Sequence, residues 1–116
     1  MADLNIEVTY FEKGGPENTD KALEIAKKYA DQFGIKDIIL ASTTGTTAEK
    51  ALKVFNLDTF NVVVITHAYY FTGSKLRQEF PEDKMEELKK KGLKFHCGTH
   101  AMSGIERGIR LQMREL

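Results

Sequence analysis

Apolar and polar positions along the chain form four patterns typical of strands. Ile6, Val8 and Tyr10 alternate with polar residues, which predicts a strand with one better-buried face. The runs Ile38-Ile39-Leu40-Ala41, within residues 35–41, and Val62-Val63-Val64-Ile65 are apolar on both faces. Such runs are typical of strands that helices cover on both sides. Residues 93–97 alternate again, with Leu93, Phe95 and Cys97 predicted inward and Lys94 and His96 outward, which favours an edge strand.

Between these strands, apolar residues recur at helical spacing and predict four amphipathic helices. Asn18 or Thr19 is expected to cap the first helix, and Gly34 to end it in the left-handed conformation. Pro81 suits the first position of the third helix, and Gly92 follows its end. The predicted inward faces are Ala22, Ala26, Tyr29, Ala30 and Phe33; Ala48, Ala51, Leu52 and Phe55; Met85 and Leu88; and Met102, Ile105, Ile109 and Met113.

Strands and helices therefore alternate four times along the chain. This order predicts an α/β fold with a mainly parallel sheet, right-handed crossovers and helices on both faces, that is, a three-layer α/β/α arrangement. The 116 residues suit one domain, residues 1–116, with no internal repeat or linker.

Composition argues against nucleic-acid binding and against membrane association. Seventeen basic residues balance seventeen acidic ones, so the basic excess of a nucleic-acid-binding protein is missing. Lys89, Lys90 and Lys91 follow two glutamates and are interpreted as a solvated helix end. No apolar stretch approaches the ~20 residues of a membrane span, so no membrane association is expected. With Cys97 as its one cysteine the chain forms no internal disulfide, and we expect it to be cytoplasmic.

In open α/β sheets, ligands bind beyond the carboxyl ends of the strands. Four segments of this chain follow predicted strands there: residues 11–18, 42–47, 66–80 and 98–103. The last three are rich in hydroxyl groups, glycine and histidine.

The strongest candidate site is the hydroxyl loop, residues 42–47, with the sequence Ser42-Thr43-Thr44-Gly45-Thr46-Thr47. It joins a buried strand to a helix start, where unpaired N–H groups and the helix dipole favour an anion. Gly45 would let a bulky anion approach the backbone. The alternative is a simple helix cap, because Thr46 and Glu49 have the spacing of a capping box. Five hydroxyl residues in six positions exceed what a cap needs, which favours phosphate binding.

The other segments supply further candidate ligand residues. Lys13 lies in the first segment, His67 lies in the third, and Thr99, His100, Ser103 and Arg107 lie in or after the fourth. The fourth segment is either a second anion-binding corner or a capped helix start, because Ser103 and Glu106 also have capping-box spacing.

His67 and His100 fall at predicted strand ends and can face one cleft. Either can act in general acid–base catalysis, or both are hydrogen-bonded structural residues. No cluster with ligand spacing predicts a metal site. Tyr69, Tyr70 and Phe71 either pack the third segment onto the domain or stack on a flat ligand.

Several of these motifs together resemble the pyruvate kinase C-terminal-domain-like proteins, which are stand-alone relatives of the regulatory domain of pyruvate kinase. The similarity covers nearly the whole chain. The matching segments are Tyr10-Phe11-Glu12-Lys13-Gly14-Gly15-Pro16-Glu17-Asn18-Thr19, Ala41-Ser42-Thr43-Thr44-Gly45-Thr46-Thr47-Ala48, Val63-Val64-Ile65-Thr66-His67 and Gly98-Thr99-His100-Ala101-Met102-Ser103-Gly104-Ile105-Glu106-Arg107.

The resemblance implies a sheet order near 3-2-1-4-5 and a phosphorylated small molecule on the hydroxyl loop, such as a sugar phosphate or flavin mononucleotide (FMN). It implies no pyruvate kinase activity, since that active site belongs to a barrel domain. Stand-alone members continue past the helix that ends here at Leu116. The expected function is regulatory or sensing. The alternatives are a small enzyme using His67 or His100 and a partner-binding domain, including a homo-oligomer that covers an exposed edge.

Overall fold

The computed structural model describes residues 3–67, 80–97, 109–110 and 112–113. After a 3-10 turn at Pro16–Asn18, three helices alternate with three strands. They are α1 (Thr19–Phe33), β1 (Asp37–Ala41), α2 (Thr46–Val54), β2 (Asn61–Ile65), α3 (Glu82–Lys90) and β3 (Lys94–His96). The strands form a parallel sheet of order β1-β2-β3, in which Ile39 pairs with Val63 and Val64 with Phe95. The alternating order thus correctly predicted a small α/β fold. The implied order near 3-2-1-4-5 is wrong for the described strands, because β2 and β3, the predicted third and fourth strands, pair directly with each other.

Most predicted helix ends agree with the structure. Asn18 is the N-cap of α1, and Gly34 ends that helix at φ 68°, a left-handed conformation that glycine adopts without strain. Pro81 is the N-cap of α3 rather than its first residue, and Glu82 and Asp83 form the first turn. Of the predicted last helix, Ile109, Arg110, Gln112 and Met113 are described as helical.

One face of the sheet carries the hydrophobic core. Val62 and Val64 are 2% and 0% exposed, and Ile38, Leu40 and Phe95 pack against the same cluster. All three helices contribute to it, with Leu23, Ala30, Ala48, Ala51, Met85 and Leu88. Phe80 is fully buried and meets Phe95 edge-on, with ring centroids 5.3 Å apart, which fixes the start of α3 on the sheet.

The prediction that β1 is covered on both faces is wrong for the described residues. Ile39 is 73% exposed, and its paired residue Val63 is only half-buried. The reason is topological: successive right-handed crossovers that move in one direction across a sheet leave their helices on one side.

The strand predicted at Ile6, Val8 and Tyr10 is also wrong for this structure. These residues carry no regular secondary structure, and their side chains are 54%, 70% and 89% exposed. The Tyr29 hydroxyl accepts a hydrogen bond from the Glu7 N–H (2.7 Å) and donates one to the Glu7 carbonyl (3.1 Å). A side chain of α1, rather than a neighbouring strand, therefore holds this segment.

Candidate functional site

The described strand ends lie side by side at the carboxyl edge of the sheet. Ser42 follows β1 and donates its N–H to the Ile65 carbonyl, while Thr66 follows β2 and donates its N–H to the His96 carbonyl. Ser42 and Thr66 are 4% and 3% exposed, and the neighbouring His67 is half-buried. The hydroxyl loop and the start of the segment after β2 thus share one edge, as parallel strands require.

The hydroxyl loop begins α2 in a different way from the capping box that the sequence suggests. Gly45, not Thr46, is the N-cap, and it makes no side-chain capping hydrogen bond. Its carbonyl accepts the N–H of Glu49 at 3.0 Å, which is the first hydrogen bond within the helix. The capping-box prediction for Thr46 and Glu49 is therefore wrong, because Thr46 already lies inside the helix.

Ser42 supplies the cap instead. Its buried Oγ accepts the N–H of Ala48 at 3.3 Å, from six residues away. The N–H groups of Thr46 and Thr47 precede the first helical hydrogen bond and have no acceptor among the described residues. Two backbone donors at the positive end of the α2 dipole are thus available to an anion.

The remaining loop residues differ in exposure. Thr43, Thr44 and Thr46 are exposed, and Thr47 is half-buried. Gly45 is buried at φ 102°. A Cβ there would lie 2.9 Å from Phe80 Cζ and 2.7 Å from Lys84 Cδ, so both the φ angle and the space require glycine.

Lys84 is a site residue that the sequence pattern did not reveal. It lies on the first turn of α3, and its Nζ is 3.2 Å from Glu49 Oε1 on the first turn of α2. Its side chain is 32% exposed. The tertiary packing of α3 against Gly45 therefore places a cation beside the hydroxyl loop. Because Lys84 is 39 positions from Gly45, in a helix with both acidic and basic residues, only a contact prediction would have found it.

The other predicted site residues are distributed as follows. Lys13 is exposed, and its carbonyl accepts the Asn18 side-chain amide at 2.5 Å, just before α1. Thr99, His100, Ser103 and Arg107 lie outside the described residues, as do Tyr69, Tyr70 and Phe71. The shared cleft of His67 and His100 therefore stays a prediction.

The described residues contain no group of three or more His, Cys, Asp or Glu side chains that could hold a metal ion. In the described part of the chain, no helix is both long enough and apolar enough to cross a bilayer.

No protein-family model matches the chain. The resemblance to the pyruvate kinase C-terminal-domain-like proteins therefore rests on the motifs alone.

Proposed function

We propose that the chain binds the phosphate group of a small metabolite at the hydroxyl loop and acts as a regulatory or sensing module. The observation that carries this proposal is the start of α2. Thr46 and Thr47 present backbone N–H groups that no described residue accepts, at the positive end of a helix that follows directly from a strand. Phosphate oxygens are the acceptors that such a helix start favours.

The hydroxyl groups add donors around the same point. Thr43, Thr44 and Thr46 are exposed, and each can donate one O–H without filling the space that an anion needs. Ser42 has a different part, because its Oγ is engaged by Ala48 and holds the loop in place. We therefore assign Ser42 to positioning and the exposed threonines to ligand contact.

Charge at the loop also supports an anion. Glu49 would repel a phosphate, but Lys84 Nζ lies 3.2 Å from its carboxylate and offsets that charge. A bound phosphate can compete with Glu49 for the same ammonium group, because the lysine side chain is long and only partly buried.

The family resemblance suggests the ligand class: a sugar phosphate or FMN. It also suggests a pyruvate kinase C-terminal-domain-like fold. The proposal includes no pyruvate kinase chemistry.

The test is a titration followed by amide chemical shifts, with inorganic phosphate, fructose bisphosphate and FMN as separate ligands. We expect the largest shifts at the Thr46 and Thr47 amides. Lys84→Met should weaken binding by about threefold to tenfold, since it removes one cation near a dianion in a partly exposed site. Lys53→Met, at the exposed C-terminal turn of α2, is the matched control and should leave affinity unchanged.

Two results would contradict the proposal. One is the absence of saturable shifts in residues 42–47 with all three ligands. The other is binding with equal affinity in the wild type and in Gly45→Asp, which places a carboxylate and a strained φ angle at the helix start.

A further inference from the structure

The face of the sheet that turns away from the helices, here called the open face, is uncovered in the described part of the chain. Residues of α1, α2 and α3 all pack into the core cluster on the other face. On the open face, Ile39 is 73% exposed, Ala41 is exposed, and Val63 and Ile65 are half-buried. Because Ile39 pairs with Val63 and Ala41 with Ile65, the four side chains form one contiguous apolar patch. A patch of this kind is typical of a surface that binds another protein.

Opposite charges flank the apolar patch. Asp37 lies at the start of β1, where its Oδ1 accepts the Asn61 side-chain amide at 3.0 Å, and Lys94 lies on β3, paired in register with Val63. Both charged side chains are exposed, and neither has an ion-pair partner among the described residues. Because β2 lies between β1 and β3, the carboxylate is on one side of the patch and the ammonium group is on the other.

This arrangement of charges is self-complementary. Sheets that stack face to face lie about 10 Å apart with their strands roughly aligned. A two-fold axis parallel to the strands places β1 of one copy over β3 of the other, and β2 over β2. Val63 then meets Val63 of the second copy, and the aliphatic stem of Lys94 covers Ile39. Asp37 lies only two residues, about 7 Å, along the strand direction from the Lys94 that its copy faces, within reach of that ammonium group.

The other two-fold arrangement is disfavoured by the same charges. An axis perpendicular to the strands places β1 over β1 and β3 over β3. Lys94 would then lie near Lys94 of the second copy, and Asp37 would face no cation. Like charges at an interface repel each other and select against that orientation. The charges of the open face therefore favour the aligned arrangement.

We propose that the open face binds a second copy of this chain in a symmetric dimer. Asp37 and Lys94 form two equivalent ion pairs between the copies, on either side of a centre made of Ile39, Val63 and Ile65. The copies do not repel each other as a whole, because seventeen basic residues balance seventeen acidic ones in each. This dimer does not depend on the proposed binding of phosphate.

The size of the open face makes the dimer weak and reversible. Three short strands span about 17 Å by 14 Å, which is well below the roughly 800 Å² per partner of a standard stable interface. We therefore expect a monomer at about 1 µM and association only at much higher concentration.

Sedimentation equilibrium of the full chain between about 10 µM and 1 mM tests the dimer. The mean mass should rise reversibly from that of the monomer toward twice that value. Ile39→Lys should weaken association by about tenfold or more, because it places a charge at the centre of the apolar patch. Val8→Lys, at a residue outside the sheet that is 70% exposed, is the matched control and should leave association unchanged.

Charge reversal tests the geometry. Asp37→Lys and Lys94→Asp should each weaken self-association by about tenfold, because each leaves like charges facing each other across the interface. An equimolar mixture of the two variants should recover the wild-type affinity, since every lysine then faces an aspartate, and the recovery also shows that both variants are folded. Lys90→Asp, at an exposed position of α3, changes the net charge as Lys94→Asp does and should leave association unchanged.

Three results overturn the proposal. The first is a monomer mass at every concentration up to about 1 mM. The second is self-association that Lys94→Asp leaves unchanged, which would indicate pairing at the outer edge of β1, because Lys94 lies on β3 at the opposite side of the sheet. The third is a mixture of Asp37→Lys and Lys94→Asp that associates no better than either variant alone.

Discussion

At the scale of the residue, Gly45 is constrained by both conformation and space. Its φ of 102° disfavours any side chain, and a Cβ would meet Phe80 and Lys84 at under 3.0 Å. We expect Gly45→Ala to lower the free energy of unfolding by about 2–4 kcal/mol, from backbone strain plus overpacking. Urea denaturation measures it. The control is Gly34→Ala, where φ is 68° but the space is open, with an expected loss of about 1–2 kcal/mol. Equal losses at the two glycines would contradict the packing constraint at Gly45.

Ser42 provides a second residue-scale prediction. Its hydroxyl is buried and accepts the Ala48 N–H, so Ser42→Ala leaves a buried donor without an acceptor. The expected loss is about 1–3 kcal/mol of unfolding free energy. Thr43→Ala, at an exposed loop position, should change stability by no more than about 0.5 kcal/mol. A Ser42→Ala protein as stable as the Thr43→Ala protein would show that the cap is unimportant.

At the scale of the element, one buried aromatic side chain before the first turn of α3 contributes to holding this helix on the sheet. Phe80 is fully buried against Phe95, and Met85 and Leu88 continue the contact. Phe80→Ala should cost about 3–5 kcal/mol by leaving a cavity. Phe33→Ala, on the 41% exposed ring that stacks on Tyr29, should cost about 1 kcal/mol. Denaturant midpoints of the two variants, compared at equal m-values, measure both losses of stability. Similar losses would mean that Phe80 does not anchor the helix.

The position of α3 also affects the candidate site. Because Phe80 and Lys84 contact the Gly45 position together, loosening the start of α3 removes the cation from the hydroxyl loop. The helix that joins β2 to β3 thus also contributes to the edge where the phosphate is proposed to bind.

At the scale of the whole molecule, the sheet is covered on one face by the described helices. This asymmetry predicts opposite outcomes for neighbouring residues of β1. Ile39→Lys should change unfolding free energy by at most about 0.5 kcal/mol, because Ile39 is 73% exposed. Ile38→Lys should destabilise strongly, by about 3 kcal/mol or more, because it places a charge against the core cluster. Comparable losses in the two denaturation curves would mean that both faces are covered.

Exposed apolar residues raise the question of self-association at the same scale. Ile6, Val8, Tyr10 and Ile39 are all more than half exposed, and an open strand edge is a common point of pairing between chains. The homo-oligomer that the sequence offers as an alternative would cover that edge between chains. Amide hydrogen exchange at Ile39 and Ala41, measured at two protein concentrations, tests this, because protection that comes from a second copy falls on dilution.

The sequence by itself determined most of the local elements in the described residues and their alternation. Apolar periodicity predicted a strand at Ile6, Val8 and Tyr10, which is not present. It also predicted β1, β2, β3, α1, α2 and α3, and Gly34 was correctly predicted to end α1, because these features depend on residues within one or two turns. The hydroxyl loop was correctly placed between a strand and a helix for the same reason. Its ligand stays a prediction.

Only the tertiary structure decided which faces and edges are covered and which distant residues meet. The double burial predicted for β1 was wrong because burial depends on where crossovers place helices, not on the apolarity of Ile39. Thr46 is not the N-cap of α2, because Gly45 occupies that position and the Ser42 hydroxyl, at the end of β1, accepts the Ala48 N–H. Lys84 reached the loop because Phe80 anchored α3 beside it. Local patterns encode propensity, whereas these contacts join residues far apart in the chain and exist only once the core is packed.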